Sequence, residues 1–349
     1  MTTPTLIHPP PLQAGDRVAV LSPSSPAAAE FPQVFDLGLT RLREVLDLEP
    51  VEFPTTRAPS ATPQQRAADL NAAFADDSIR AVIASIGGDD QLKVLAHLDA
   101  PLIQANPKPF LGYSDNTNLH HFLWGLGIVS YYGGSVMVQL GRPVAMHPLT
   151  VESWRNALFD HGPVPLTQPT ESGDEELMWS DPGALDTEPV LSAAEPWQWH
   201  GPRRVVESPS WGGCFEIVAV QLTAGRYLRP DTDYDGCVLF METSEELPSA
   251  DAVSRVLMCM GERGLLQRFP AVVMGRPKAW SFEQRLAPAA KREYVERQRA
   301  ALLAALAEYH PDAVCVTGVD FGHTDPQLVM PHGGLFRVDG VEQQITVTY

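Results

Sequence analysis

The feature that most constrains this chain is a succession of short apolar runs in its first half, each followed by a stretch with helical spacing. The run RVAVLSPSSP (17–26) reads as a buried strand entering a loop, and 33–46 carries helical apolar spacing through Val34, Leu37, Leu39, Leu42 and Val45. The Ala-rich PQQRAADLNAAFAD (63–76) opens on Pro, as helices do. RAVIASIGG (80–88) is a strand closing on a double glycine, and DQLKVLAHLD after it is expected to be a helix. KPFLGYSD (108–115) is a third strand with the helix NTNLHHFLWGLG behind it, and IVSYYGG (128–134) is a fourth. Short strands separated by helices of this length require a mostly parallel sheet covered on both faces.

That α/β unit ends near residue 165. The segment 166–203 differs in kind, because from Glu171 to Glu195 it holds no Lys or Arg while Trp179, Trp197 and Trp199 fall within it. It is expected to fold back over another part of the molecule. Beyond it, 204–349 resumes with strands at SWGGCFEIV (210–218), GCVLFMET (236–243), AVVMG (271–275), AVCVTG (313–318) and QITVTY (344–349). Helical stretches at 249–267 and 283–309 intervene, so this half is also α/β, with a more β-rich end. The chain of 349 residues is long enough for these two domains.

Charge narrows the partners. A net charge of −18 argues against nucleic acid and against an anionic membrane, since both demand a basic footprint. No stretch reaches the ~18 apolar residues of a membrane helix, and MTTPTLIHPPPLQAGD lacks the basic and apolar regions of a signal peptide, so a cytoplasmic location is expected. The four cysteines, Cys214, Cys237, Cys259 and Cys315, have no CxxC spacing; free thiols are expected rather than disulfides or a zinc site. With no HExxH and no Cys/His cluster, no metal is expected.

The residues that bear chemistry lie at strand ends. Ser114 stands where a strand runs directly into a helix, the geometry of a nucleophile elbow, with helix N–H groups at hand for an oxyanion. Asn116 occupies the place of the second glycine of GxSxG, and simple helix capping by Ser114 or Asp115 is the competing reading. The N–H of Asp115 is the natural first oxyanion donor and that of Gly88, in SIGGDDQ (85–91), a second. Glu242 closes the apolar run GCVLFMET, where an acid must be paired, and orienting an imidazole is one such use. Glu245 and Glu246 read as a solvated loop or helix start. His323, in GHTDPQLVMPHG, could serve as general base. His332 is the competing base, and His120 and His121 are helix residues behind the serine.

The set SIGGDDQ, FLGYSDNTNL, YYGG, SWGG, LFMETSEE and GHTDPQLVMPHG, in that order, resembles the LD-carboxypeptidase family of serine peptidases from about residue 15 to the C-terminus. The resemblance implies a flavodoxin-like nucleophile domain and a second α/β, β-rich, swivelling barrel-like domain, usually in a homodimer. It implies Ser114 as nucleophile, Glu242 as orienting acid and His323 as base, with Gly88 and Asp115 supplying oxyanion N–H groups and no metal or cofactor. SIGGDDQ looks like the microcin-immunity (MccF-like) branch, which cleaves the amide of an aminoacyl- or peptidyl-nucleotide. The tryptophans Trp179, Trp197 and Trp199 are candidates for stacking on the nucleobase.

Two departures stand out. Cys214 follows SWGG where the family often has Asn, and the acidic insert would leave a phosphate-rich ligand dependent on Arg203 and Arg204 for counter-charge. A murein tetrapeptide LD-carboxypeptidase would use the same chemistry on another substrate. A non-catalytic binding protein on this fold is the rival of another class. An ordinary α/β-hydrolase would carry the GxSxG elbow that is absent here.

Overall fold

A computed structural model describes residues 6–160 and 162–349. The first half forms a six-stranded sheet in the order Met330–His332, Ser130–Tyr132, Phe110–Gly112, Ile79–Ala84, Arg17–Leu21, Glu49–Glu52. Its five N-terminal strands are all parallel, in the 2-1-3-4-5 order of flavodoxin-like folds. In such sheets ligands sit beyond the carboxyl ends of the strands, and Ser22, Ser85 and Ser114 all follow those ends. The strand Met330–His332 comes from the second half of the chain and pairs antiparallel with Ser130–Tyr132.

The second sheet has eight strands, with Val205–Cys214, Val238–Glu242, Ala271–Gly275 and Val314–Val319 parallel at its centre. Antiparallel strands flank them: Leu335–Asp339, Gln344–Thr348 and Pro163–Pro165 on one side, Gln198–His200 on the other. The fold class is thus mixed α/β in both halves, as the sequence led one to expect. A single apolar cluster runs from Val18, Ile83 and Tyr131 of the first sheet to Phe240, Val316 and Val338 of the second. Burying it ties the two sheets together, so residues at their facing edges are held in register.

Local chemistry explains most of the elements. Pro63–Ala75 starts on a capping box, in which Thr62 and Gln65 satisfy each other's backbone N–H, with Pro at the first turn. Ala250–Glu262 is capped by Ser249, which accepts the N–H of Ala252.

Two expectations need correction. The stretch after Asp90 is not one helix but two 3₁₀ turns, Gln91–Lys93 and Leu95–His97, with an α-helix only from Ala100. The reason is tertiary: the Gln91 N–H goes to the Asp115 carboxylate at 2.9 Å, and its side chain joins Asn116 at 2.7 Å and the Leu119 N–H at 3.0 Å. SWGGCFEIV is likewise not all strand, since the strand ends at Cys214 and the helix Phe215–Ala224 begins at once.

Candidate active site

Ser114 has φ of +62°, a left-handed conformation that costs a non-glycine residue about 1–3 kcal/mol and persists only where its surroundings enforce it. Here they do. Its N–H donates to the Tyr132 hydroxyl at 3.2 Å, and its carbonyl accepts from Thr117 Oγ1 at 2.7 Å. Asn116 Nδ2 donates to the carbonyls of Tyr113, at 3.1 Å, and Ile86, at 3.2 Å. Asn116 therefore braces the turn where a glycine would merely permit it. Helix capping does not account for Ser114, because neither the 3₁₀ turn it opens nor the helix Thr117–Gly125 carries a side-chain cap bond.

The Asp115 side chain points away from the turn into a buried network. Its carboxylate accepts from the Ser24 hydroxyl, the Gln91 N–H and Asn118 Nδ2, the last at 2.8 Å. Burial pushes this carboxyl up from its usual range, and the donors oppose that. The network ties the loops at 22–26 and 88–91 to the serine turn, which holds Gly87 and Gly88 beside it. A Cβ on Gly87 would lie 2.9 Å from the Ser114 Cβ and 3.2 Å from Oγ, so only glycine lets this loop close on the serine. The N–H groups of Gly88 and Asp115 have no hydrogen-bond partner among the described residues.

Glu242 ends its strand fully buried. Oε1 accepts from the Tyr132 hydroxyl at 2.5 Å, and Oε2 accepts from Nδ1 of His323 at 2.7 Å. The imidazole approaches this closely because Gly322, at φ +95°, precedes it: a Cβ there would sit 2.4 Å from Glu242 Oε2. The His323 ring rests against Tyr113 with centroids 4.9 Å apart. Its Nε2 lies 3.2 Å from Oε2 of Glu245. Burial pushes the imidazole pKa down, but Glu242 and Glu245 outweigh it and hold it at about 9. Behind Glu242, burial and the Glu242 charge push the Glu216 carboxyl up; Glu216 accepts from the Ser244 N–H at 2.9 Å and from the Cys214 thiol at 3.2 Å. Cys214 thus serves a buried acid and is no ligand-facing polar group.

Ser114, His323, Gly88 and Glu245 line one cavity of about 420 Å³, within the usual size for a small-ligand site. A second chamber of about 190 Å³ adjoins it, lined by Arg142, Thr324 and Leu177 among others, and Tyr113, Trp179 and His323 border both. The roof is the acidic segment that follows Leu166. Asp174 reaches Lys291 at 2.5 Å and the Ala279 N–H at 3.0 Å, Glu176 pairs with Lys278, and Glu188 pairs with Arg142 at 3.1 Å. The segment thus folds back over the cavity, and its own acids are its fastenings.

Of the three tryptophans only Trp179 reaches the cavities. Trp197 is buried and donates to Asp320 Oδ2 at 2.7 Å, while Trp199 packs on the core from the strand Gln198–His200. Arg203 and Arg204 are exposed, bond to the carbonyls of Val341 and Asp312, and line neither chamber. His332 likewise lines neither chamber; it is fully buried with its ring 5.6 Å from His120 and 5.3 Å from His121. Sequence reasoning passed over Tyr132 and Lys278 and read Glu245, which faces His323 Nε2, as part of a solvated loop or helix start. YYGG marked the first only as a strand, and nothing in the other two distinguishes them from surface charges. Among the described residues no group of three or more His, Cys, Asp or Glu stands together to hold a metal, and no helix is long and apolar enough to cross a membrane.

Residues 18–133 match the LD-carboxypeptidase N-terminal domain and residues 207–338 the LD-carboxypeptidase C-terminal domain. The microcin C7 self-immunity protein MccF of Escherichia coli is 24% identical over 344 residues, 97% of this chain and 94% of that protein. Two solved structures superpose on the fold. An MccF-like protein from Streptococcus pneumoniae in complex with AMP gives a TM-score of 0.83 at 24% identity, over 96% of this chain and 99% of that one. MccF in complex with aspartyl sulfamoyl adenosine gives a TM-score of 0.84 at 24% identity, over 97% of each chain.

Proposed function

The chain belongs to the LD-carboxypeptidase family and is a hydrolase of the serine peptidase type, and we propose that it cleaves the amide of an aminoacyl- or peptidyl-nucleotide through an acyl-enzyme at Ser114. The observation that carries this reading is the bond from His323 Nδ1 to the buried Glu242, at 2.7 Å, in the same cavity as a strained serine turn. In the proposed mechanism Ser114 Oγ attacks the scissile carbonyl as His323 Nε2 takes its proton. Glu242 keeps Nδ1 protonated and stabilises the imidazolium. The N–H groups of Gly88 and Asp115 receive the oxyanion, a contribution worth on the order of 10²–10³ in rate for each donor. The imidazolium then protonates the departing nitrogen, and water repeats the sequence to release the acid.

The nucleotide assignment is supported by the AMP and aspartyl sulfamoyl adenosine held by the two structural neighbours. It is supported too by Trp179, which offers an aromatic ring on the wall of both chambers. The test is hydrolysis of an aminoacyl sulfamoyl adenosine and of a murein tetrapeptide by the wild type and by Ser114→Ala, read by mass spectrometry. Cleavage of the adenosine conjugate that Ser114→Ala abolishes supports the reading. Cleavage of the tetrapeptide alone keeps the mechanism and overturns the substrate.

A further inference from the structure

The imidazole nitrogen that must face Ser114 is occupied by another group. His323 Nε2 lies 3.2 Å from Oε2 of Glu245, whose side chain is 55% exposed, while the imidazole is 6% exposed. No hydrogen bond joins Nε2 to Ser114 Oγ in this arrangement. An imidazole held between two carboxylates keeps its proton, and a protonated imidazole cannot accept one from the serine. A substrate must therefore draw Glu245 away before the base can act, and the group best suited to draw a carboxylate is a cation.

The rest of the cavity carries the same sign. Five carboxylates line it, those of Asp89, Glu176, Glu245, Glu246 and Glu283, against the two cations Lys278 and His323. Lys278 is not available to an anionic substrate: it is 4% exposed and paired with Glu176. An acyl group bearing a carboxylate would thus meet an excess of like charge, whereas an ammonium would find Glu245 within reach of the reacting centre.

Building on the amidase reading, we infer that Glu245 is the specificity-determining residue for an acyl group carrying a positive charge, exchanging the His323 imidazole for the substrate's ammonium or guanidinium as it binds. The cation can be a side-chain charge or the α-ammonium. Exchange frees Nε2 to turn to Ser114, so the group that selects the substrate also arms the base. Glu245 acts on the chemistry through His323 and on selection by direct contact.

The experiment compares kcat/KM for lysyl, norleucyl, N-acetyl-norleucyl and glutamyl sulfamoyl adenosine, with wild type and Glu245→Gln. A lysyl conjugate preferred over norleucyl by about tenfold assigns the side-chain charge; equal rates on those two, with N-acetyl-norleucyl about tenfold slower, assign the α-ammonium. In either case glutamyl is the poorest charged substrate, and Glu245→Gln compresses the advantage of the cation to within about twofold. Glu245→Asp, which keeps the charge, restores part of it. Rates on all four within about twofold of one another, a glutamyl preference, or a cation preference that survives Glu245→Gln would each overturn the inference while leaving the amidase reading intact. Turnover of none of them by the wild type overturns both.

Discussion

The Tyr132 hydroxyl donates to Oε1 of Glu242, the oxygen that His323 does not use, at 2.5 Å. The same oxygen of Tyr132 accepts the Ser114 N–H at 3.2 Å. One phenol thus spans both halves of the site, linking the strained turn of the first domain to the buried acid of the second. Tyr132→Phe removes both bonds and leaves a buried carboxylate oxygen without its donor. Such a loss is worth about 1–3 kcal/mol, so kcat is expected to fall about 5- to 150-fold with KM nearly unchanged. A kcat within twofold of wild type would show that the phenol merely fills space.

Gly322 permits the approach of His323 to Glu242. Gly322→Ala places a methyl group where the Glu242 carboxylate lies, at a φ that L side chains rarely adopt. The variant is expected to lose activity by on the order of 10² or more, by analogy with other small displacements of reacting groups, while its far-ultraviolet circular dichroism stays that of the wild type. Retained activity in a folded variant would show that the imidazole does not need its present distance from Glu242.

The pH dependence follows from the two carboxylates around His323. They raise its pKa to about 9, so the imidazole is protonated at neutral pH, and with His323 as the proposed base kcat/KM should climb through a limb near pH 9. Glu245→Gln removes one of the two charges and should move that limb to lower pH. For stability the sign is opposite to that of activity: a raised imidazole pKa contributes fully below the ordinary value of about 6.5 and is lost as pH rises through about 9. A profile unchanged in Glu245→Gln would dismiss Glu245 as an influence on the imidazole.

His120, His121 and His332 stack at the junction of the domains, all fully buried. Burial lowers all three, His120 to about 3, and His332 has no partner on either nitrogen among the described residues. Their folded forms are neutral, so the unfolded chain binds more protons below the ordinary value near 6.5. Their contribution to stability is therefore whole above that value and declines as pH falls below it. Thermal melts between pH 7.5 and 5 should show a falling Tm, and His332→Leu should flatten the slope. An equal slope in the variant would remove His332 from the cause.

Much of this was legible along the chain. The order of strands and helices follows from apolar spacing, and Ser114, Glu242 and His323 stand out because each lies at or just past the end of an apolar run, where a sheet presents polar side chains. The turns after Asp90 were not legible, because Gln91 spends its hydrogen bonds on residues that lie 24 to 28 positions away. Trp197 and Trp199 resembled Trp179 in composition and in setting, and only packing separates a ring bonded to Asp320 from one that walls a cavity.

The sequence by itself determined what depends on neighbours in the chain: the α/β class, the strand–turn–helix at Ser114, the glycines that allow close approach, and the family. Tertiary structure decided what depends on distance between remote segments. It set which carboxylate takes Nδ1 of His323 and which takes Nε2, although Glu242 and Glu245 are three positions apart. It gave the Tyr132 hydroxyl a place between Ser114 and Glu242, and turned the acids of the roof into partners for Lys278 and Lys291. The physical reason is that an ionisable group has no fixed role in sequence. Burial and the charge that faces it assign one, and both exist only once the sheets have packed.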